Sequence, residues 1–289
     1  MNLLVRRRLL RASIALAFAA SAAGMHRAVR AEIRLASRTD ERVIDARQTQ
    51  FGRLEVIEID RTRYLSYGPG NRVFQSALNL DRPTELVAPY TRLMMLGFVY
   101  THPSARIVQI GVGAGNMARY AIRTFPSVVV QAVDIDPHAL ELGARYFGLA
   151  PDPRLHLHVA DGRGWLAASN EQYGVIMLDA YDDRSIPAHL MDAGFFRIVA
   201  ARLAAGGVVI QNVFTPQVDA KSLMAAMGAS FDQVDSYRVG KSVVLVGYQG
   251  AQRDPGELRA HARRLDSALR PVHSLEELLE LRAGSLRGG

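Results

Sequence analysis

From residue 106 onward the chain alternates short apolar runs with segments of helical spacing, and no other feature constrains its fold as strongly. The runs at 107–110, 128–133, 155–159, 175–178 and 208–213 are mainly apolar. That pattern belongs to parallel strands covered on both sides. Between them, 116–124, 137–147, 164–168 and 189–203 read as helices. Such repetition predicts the α/β class: a doubly wound, mostly parallel sheet with ligands at the carboxyl ends of its strands. After a helix at 218–227, the runs 231–239 and 242–248 are separated only by Gly240-Lys241. A tight hairpin is the simplest connection, which makes the last pair antiparallel and the sheet seven-stranded.

The flanking regions have other patterns. Short extended runs at 43–46, 52–59, 64–67 and 72–76, broken by Asp60-Arg61 and Gly68-Pro69-Gly70, predict a small β-meander. A helix is expected over 84–100, from Leu86, Tyr90, Leu93, Met94 and Phe98. Past Gln252 the Arg/Glu-rich sequence has helical spacing and reads as a peripheral appendage. At the other end, Arg6-Arg7-Arg8-Leu9-Leu10-Arg11 precedes an alanine-rich apolar stretch at 14–23. This order resembles a twin-arginine export signal, with cleavage after Ala22 or Ala31 and a periplasmic destination. Initiation at Met25 would instead leave the protein in the cytoplasm. Four parts are therefore expected: a signal segment (1–31), the β-meander (32–80), a Rossmann-like nucleoside-binding domain (81–250) and a C-terminal helical appendage (251–289).

Charge enters the argument through its location. The 289 residues contain 35 basic and 28 acidic side chains, a formal net charge of +7. Residues 1–31 hold six arginines and no acid, so the rest of the chain has 29 basic against 28 acidic groups. A near-neutral body without a basic, aromatic-interleaved stripe argues against nucleic acid as a partner. No apolar run reaches the roughly 18 residues of a membrane span. Without cysteine there is no thiolate nucleophile or Cys-based metal site.

Acidic residues and glycines gather at the predicted strand ends. Ile110-Gly111-Val112-Gly113-Ala114-Gly115-Asn116 follows the first parallel strand and opens a helix, as in loops that cradle a nucleotide. The second strand ends in Asp134, suited to ribose hydroxyls, while Asp136 before Pro137 reads as a helix cap. This spacing fits a dinucleotide or an adenosyl-sulfonium site, and the terminal hairpin favours the adenosylmethionine-dependent methyltransferase type of Rossmann-like fold. Asp161-Gly162 ends the third strand, where Asp161 suits either an adenine amino group or a helix cap. Asp179, Asp182 and Asp183 end the fourth. Three adjacent carboxylates call for a cation, either a metal or an amine, and no His-based ligand set is apparent. One of them is placed to deprotonate an attacking nitrogen.

These motifs, in this order and spacing, resemble the spermidine synthase family of polyamine aminopropyltransferases over about residues 52–248. Val73-Phe74-Gln75 and Tyr90 strengthen the likeness. The resemblance implies that Gly111, Gly113 and Gly115 approach the nucleoside of decarboxylated S-adenosylmethionine. It implies that Asp134 holds the ribose, and that Asp161 with Gly162 meets the adenine. Asp179 becomes the general base, and Asp182, Tyr90, Gln75 and Tyr181 the contacts of a small cationic amine such as putrescine. The family also implies a homodimer and no metal.

Departures from the pattern affect amine recognition. Ala114 stands where the family has an Asp for the donor's terminal amine, and Tyr90-Thr91-Arg92 replaces Tyr-Gln-Glu. Ile186-Pro187-Ala188 stands in place of Gly-Pro-Ala. An inward-pointing Arg92 would oppose a diamine. The alternative readings are a methyltransferase using S-adenosylmethionine itself and a non-catalytic nucleoside-binding homologue.

Overall fold

The computed structural model describes residues 41–68, 73–101, 106–182 and 185–288. The expected export signal, both cleavage points and Asp183 lie outside the described residues. Residues 42–289 form one compact unit, to which everything below refers.

Two sheets organise it. The first is an antiparallel meander of β1 (Arg42–Thr49), β2 (Gly52–Ile59), β3 (Thr62–Tyr67) and β4 (Val73–Asn79), paired in chain order. Asp60 and Arg61, both at positive φ, make the two-residue turn between β2 and β3, as a hairpin turn with the right twist requires.

The second sheet contains β5 (Arg106–Ile110), β6 (Val129–Asp134), β7 (Leu155–Val159), β8 (Tyr173–Leu178) and β9 (Leu203–Phe214), followed by β10 (Gln233–Val239), β11 (Ser242–Tyr248) and β12 (Arg282–Arg287). Its order is β12-β10-β11-β9-β8-β5-β6-β7. Strands β5 to β9 run parallel, and β11 enters antiparallel to β9.

The period-two alternation of each central strand feeds two apolar layers. On β8, Val175 and Met177 face one layer and Ile176 faces the other. The first layer is completed by α1 (Pro89–Met94), α2 (Gly97–Tyr100), α3 (Asn116–Thr124), α8 (Pro255–Leu269) and α9 (Leu275–Leu279). The second is built by α5 (Gly162–Ala168), α6 (Ala193–Arg202) and α7 (Ala220–Gly228). A third, smaller cluster joins the sheets: Leu54, Leu65 and Leu78 of the meander pack against Leu142 of α4 (Pro137–Tyr146) and Phe147 after it. This contact is what sets β4 beside the start of α3.

Three expectations are corrected. The helix over 84–100 is two short helices, because Pro89 lacks an N–H and starts a helix at its first position. Gly97 then approaches β8 so closely that a Cβ would sit 2.7 Å from Val175 Cγ1, and the chain tightens into a turn there. The helix expected over 189–203 opens as a single 3-10 turn, Ala188–Leu190, and α6 begins only after Asp192 caps it through the Phe195 N–H. The C-terminal segment is neither wholly helical nor peripheral. Leu258, Ala262 and Leu275 are buried in the main core, and β12 adds an eighth strand along β10.

A buried ion pair explains how so weakly patterned a strand finds its place. Asp235 on β10 is fully buried, and its carboxylate takes Arg282 Nη2 at 2.5 Å, Tyr100 Oη at 2.6 Å and Tyr248 Oη at 3.2 Å. Burial, with the neighbouring Asp235, pushes the Tyr237 hydroxyl up to about 12 against the pull of its hydrogen bond to Tyr100, so this phenol stays protonated. Arg282→Leu would leave a buried carboxylate without its cation. Equilibrium urea unfolding is expected to show a loss of about 3 kcal/mol. A change below about 0.5 kcal/mol, the usual range of surface substitutions, would mean that the tyrosines alone satisfy Asp235.

Candidate active site

Strands β5 and β8 meet at their carboxyl ends with almost no space between them. The Asp179 N–H donates to the Ile110 carbonyl at 2.8 Å, and a Cβ on Gly111 would lie 2.4 Å from the Asp179 carbonyl oxygen. Only glycine fits, at a φ of 82°. Gly113 (φ 54°) leaves similar room for β4, where its Cβ would meet Ser76 Oγ at 2.8 Å. The expected role of these glycines is thus redirected: they admit the protein's own backbone, although Gly111 and Gly113 also line the cavity described below. Gly115 does not line it and packs on Leu149.

Asp134, at the end of β6, holds this loop in shape. Its Oδ2 accepts the N–H groups of Val112 (2.7 Å) and Gly113 (2.9 Å), and its Oδ1 that of Asp136 (2.9 Å). Burial raises its carboxyl above the usual range against the pull of those N–H groups. Asp136 has the capping role expected of it, accepting from the His138 N–H at 2.9 Å and also from Tyr67 Oη at 2.6 Å.

Around these groups opens a cavity of about 460 Å³ at the carboxyl ends of β5, β6 and β8. Asp161 lines it while capping α5 through the Gly164 N–H (2.7 Å) and pairing with His189 Nε2 (2.8 Å). Burial pushes the Asp161 carboxyl up, but these partners outweigh it and leave it below its ordinary value. Gly162 is the first residue of α5, where a Cβ would collide with Ile110. Asp182 reaches the cavity rim and accepts the Ser185 N–H at 2.7 Å within a turn. The Tyr181 hydroxyl is held by β9, donating to the Asn212 carbonyl (3.1 Å) and accepting from the Phe214 N–H (2.7 Å). It forms a wall of the cavity and has no spare donor.

A narrower pocket of about 60 Å³ adjoins the cavity between β4, α1 and α3. Gln75, Val112 and Asp179 line both spaces. Asp179 is therefore the carboxylate at their junction. Its Oδ1 accepts Asn212 Nδ2 at 2.9 Å, and its Oδ2 accepts Tyr90 Oη at 3.1 Å. Burial raises its pKa to about 7, with the two hydrogen bonds limiting the rise. A carboxyl tuned to neutrality beside a cleft is suited to exchanging a proton with a bound group.

Two substituted positions behave differently from expectation. Arg92 does not point inward; its Nε donates to the Leu86 carbonyl at 2.8 Å, and it lines neither space. Ala114 is 1% exposed within the apolar cluster of Leu54, Leu142 and Phe147, so its side chain also faces away from both.

Several lining residues had no sequence motif to mark them. Phe51, in the β1–β2 turn, and Tyr67, Ile135 and Leu190 supply apolar surface to the larger cavity. Asn212 had a usable signal, since Gln211-Asn212 is a polar pair inside the apolar run 208–213. No group of three His, Cys, Asp or Glu side chains gathers to hold a metal among the described residues. Nor is any described helix long and apolar enough to cross a membrane.

Known proteins share this architecture. The sequence profile of the spermine/spermidine synthase domain matches residues 88–247. The polyamine aminopropyltransferase of Vibrio vulnificus (strain CMCP6) is 25% identical over 238 residues, 79% of this chain and 79% of that protein. A probable spermidine synthase from Corynebacterium glutamicum ATCC 13032 superposes with a TM-score of 0.66 at 22% identity, covering 78% of this chain and 88% of its own. Human methyltransferase-like protein 13, in complex with SAH, superposes with a TM-score of 0.58 at 24% identity, over 64% of this chain and 94% of its own.

The hydrogen bonds to Asp179 can be tested directly. Each of Tyr90→Phe and Asn212→Ala removes one donor to the carboxylate, which favours its protonated form. Carboxyl ¹³C NMR titration is expected to place the Asp179 pKa about half to one unit above that of the parent protein in each variant. An unchanged or lower value would show that these contacts do not stabilise the charged form.

Proposed function

Because the chain belongs to the spermine/spermidine synthase family, we propose that it transfers an aminopropyl group from decarboxylated S-adenosylmethionine to a primary amine. The observation that carries this reading is Asp179, poised near neutrality where the two spaces join.

The larger cavity suits the nucleoside. A carboxylate offers about four acceptor positions. Asp134 fills three with backbone N–H groups, which leaves one for a ribose hydroxyl. Asp161 has two partners and keeps room for an adenine amino group. Ile135 and Leu190 offer apolar surface to the base. The sulfonium end then falls toward Asp179 and Gln75, with the amine entering from the narrow pocket.

In the reaction the amine nitrogen attacks the propyl carbon bonded to sulfur. A C–N bond forms, the C–S bond breaks, and its electron pair neutralises the sulfonium to give methylthioadenosine. The nitrogen's surplus proton passes to Asp179. No charge has to be created on the leaving group, so alignment and proton removal supply most of the rate. Tyr90 and Asn212 fix the carboxylate from either side, which directs its remaining lone pairs at the incoming amine.

A general base works only when deprotonated. Since the Asp179 pKa is raised to about 7, kcat/KM should rise with pH through that value and flatten above it. Purified protein given decarboxylated S-adenosylmethionine and a panel of primary amines is expected to release methylthioadenosine. Asp179→Asn should lower that release by about 10²- to 10⁴-fold with the circular dichroism unchanged. Full activity in that variant would remove the proposed base.

A methyltransferase reading rests on Asp134 and Asp161, which would meet the nucleoside of S-adenosylmethionine as well as that of its decarboxylated form. Methyl transfer from S-adenosylmethionine, with tighter binding of that donor than of its decarboxylated form, would favour it over aminopropyl transfer. Absence of turnover with either donor would leave a nucleoside-binding homologue.

A further inference from the structure

The narrow pocket beside Asp179 is poor in charge. Phe74, Leu86, Val87, Ala88, Val112 and Met117 supply apolar surface to its wall. Asp179 is the one carboxylate lining it among the described residues; Asp182 lines the larger cavity instead. Glu85 is the nearest acid in sequence; its carboxylate holds Arg82 at 3.1 Å and does not line this pocket. The adjoining segment is fixed at both polar atoms of one residue. The Leu86 N–H donates to His273 Nε2 at 3.1 Å, and its carbonyl accepts Arg92 Nε at 2.8 Å. The apolar wall therefore cannot turn Glu85 inward without losing two hydrogen bonds.

The other polar side chains of the wall, Gln75, Ser76, Tyr90, Thr91 and Asn116, are neutral. Asn116, the first residue of α3, is 9% exposed and lines the pocket. Its Nδ2 donates to the Ala77 carbonyl, which fixes the amide's orientation, and its Oδ1 is buried without a donor from the protein. A buried acceptor left unmatched is costly, so a ligand hydrogen placed there would gain an unusually favourable contact.

We propose that the acceptor is a monoamine: one nitrogen presented to Asp179, and a short chain that is apolar or ends in a neutral hydrogen-bond donor for Asn116 Oδ1. This inference rests on the aminopropyl-transfer reading and narrows its substrate class. The second ammonium of a diamine would leave water for a pocket whose carboxylate is already engaged by the reacting nitrogen. A neutral amide oxygen does not offset that desolvation. A hydroxyl or methyl terminus carries no such cost.

The test uses the full chain with decarboxylated S-adenosylmethionine and three acceptors that share a four-carbon chain: 4-amino-1-butanol, butylamine and putrescine. Methylthioadenosine release should show kcat/KM for the first two at least about tenfold above putrescine. Asn116→Asp, which adds a carboxylate without changing shape, should bring putrescine level with the amino alcohol or above it. If that variant fails to fold, Asn116→Leu serves, and should abolish the preference for the amino alcohol over butylamine. Putrescine preferred by the parent protein would overturn the inference while leaving aminopropyl transfer intact. Release with none of the three would sink aminopropyl transfer itself. Calorimetric titration of the same amines into the protein with methylthioadenosine then decides: tighter binding of the monoamines supports the pocket's assignment, and putrescine tightest, or no binding, overturns it.

Discussion

The approach of β5 to β8 at Gly111 is the constraint from which the rest of the site follows. Two strand ends held by the bond from the Asp179 N–H to the Ile110 carbonyl leave no space for a side chain between them. The glycine loop must therefore turn at once, and its N–H groups converge on Asp134 at the end of the neighbouring strand. The same approach carries Asp179 under β4 and α1, into a place dry enough to raise its pKa to neutrality. Backbone proximity, proton chemistry and cavity shape share one cause.

The carboxylates of this site also show that a structural role does not exclude a place in the cavity wall. Asp161 caps a helix and still borders the cavity, and Asp134 organises a loop with an acceptor position to spare. Groups pre-engaged by backbone N–H bonds do not have to reorganise when a ligand arrives, which is what pre-organisation requires. Tyr181 lies at the other extreme, its hydroxyl spent on β9.

Much of this was legible in the sequence because it rests on local periodicity. Strand β7, α3 and β11 have the boundaries that the apolar pattern suggests, and the hairpin turn at Gly240-Lys241 places the antiparallel pair. The acids at strand ends were readable for the same reason: a polar residue that ends an apolar run must face the rim of the sheet. What escaped the sequence depends on contacts between distant segments. Arg282 carries no signal until Asp235 is seen buried opposite it, and the outward turn of Arg92 is decided by the Leu86 carbonyl. Asn116 looks like any helix-opening residue until its second amide atom is found without a partner.

The link from His273 to Leu86 spans 187 positions of chain. The strands that carry Asp134 and Asp179 precede α8 and α9, yet the pocket wall is tied down by a residue between those two helices. During synthesis the sheet can assemble from β5 to β11 while that wall still lacks its anchor. The larger cavity is thus complete earlier in translation than the narrow pocket. Under the proposed function, a growing chain would hold its donor before it could select what the donor reacts with.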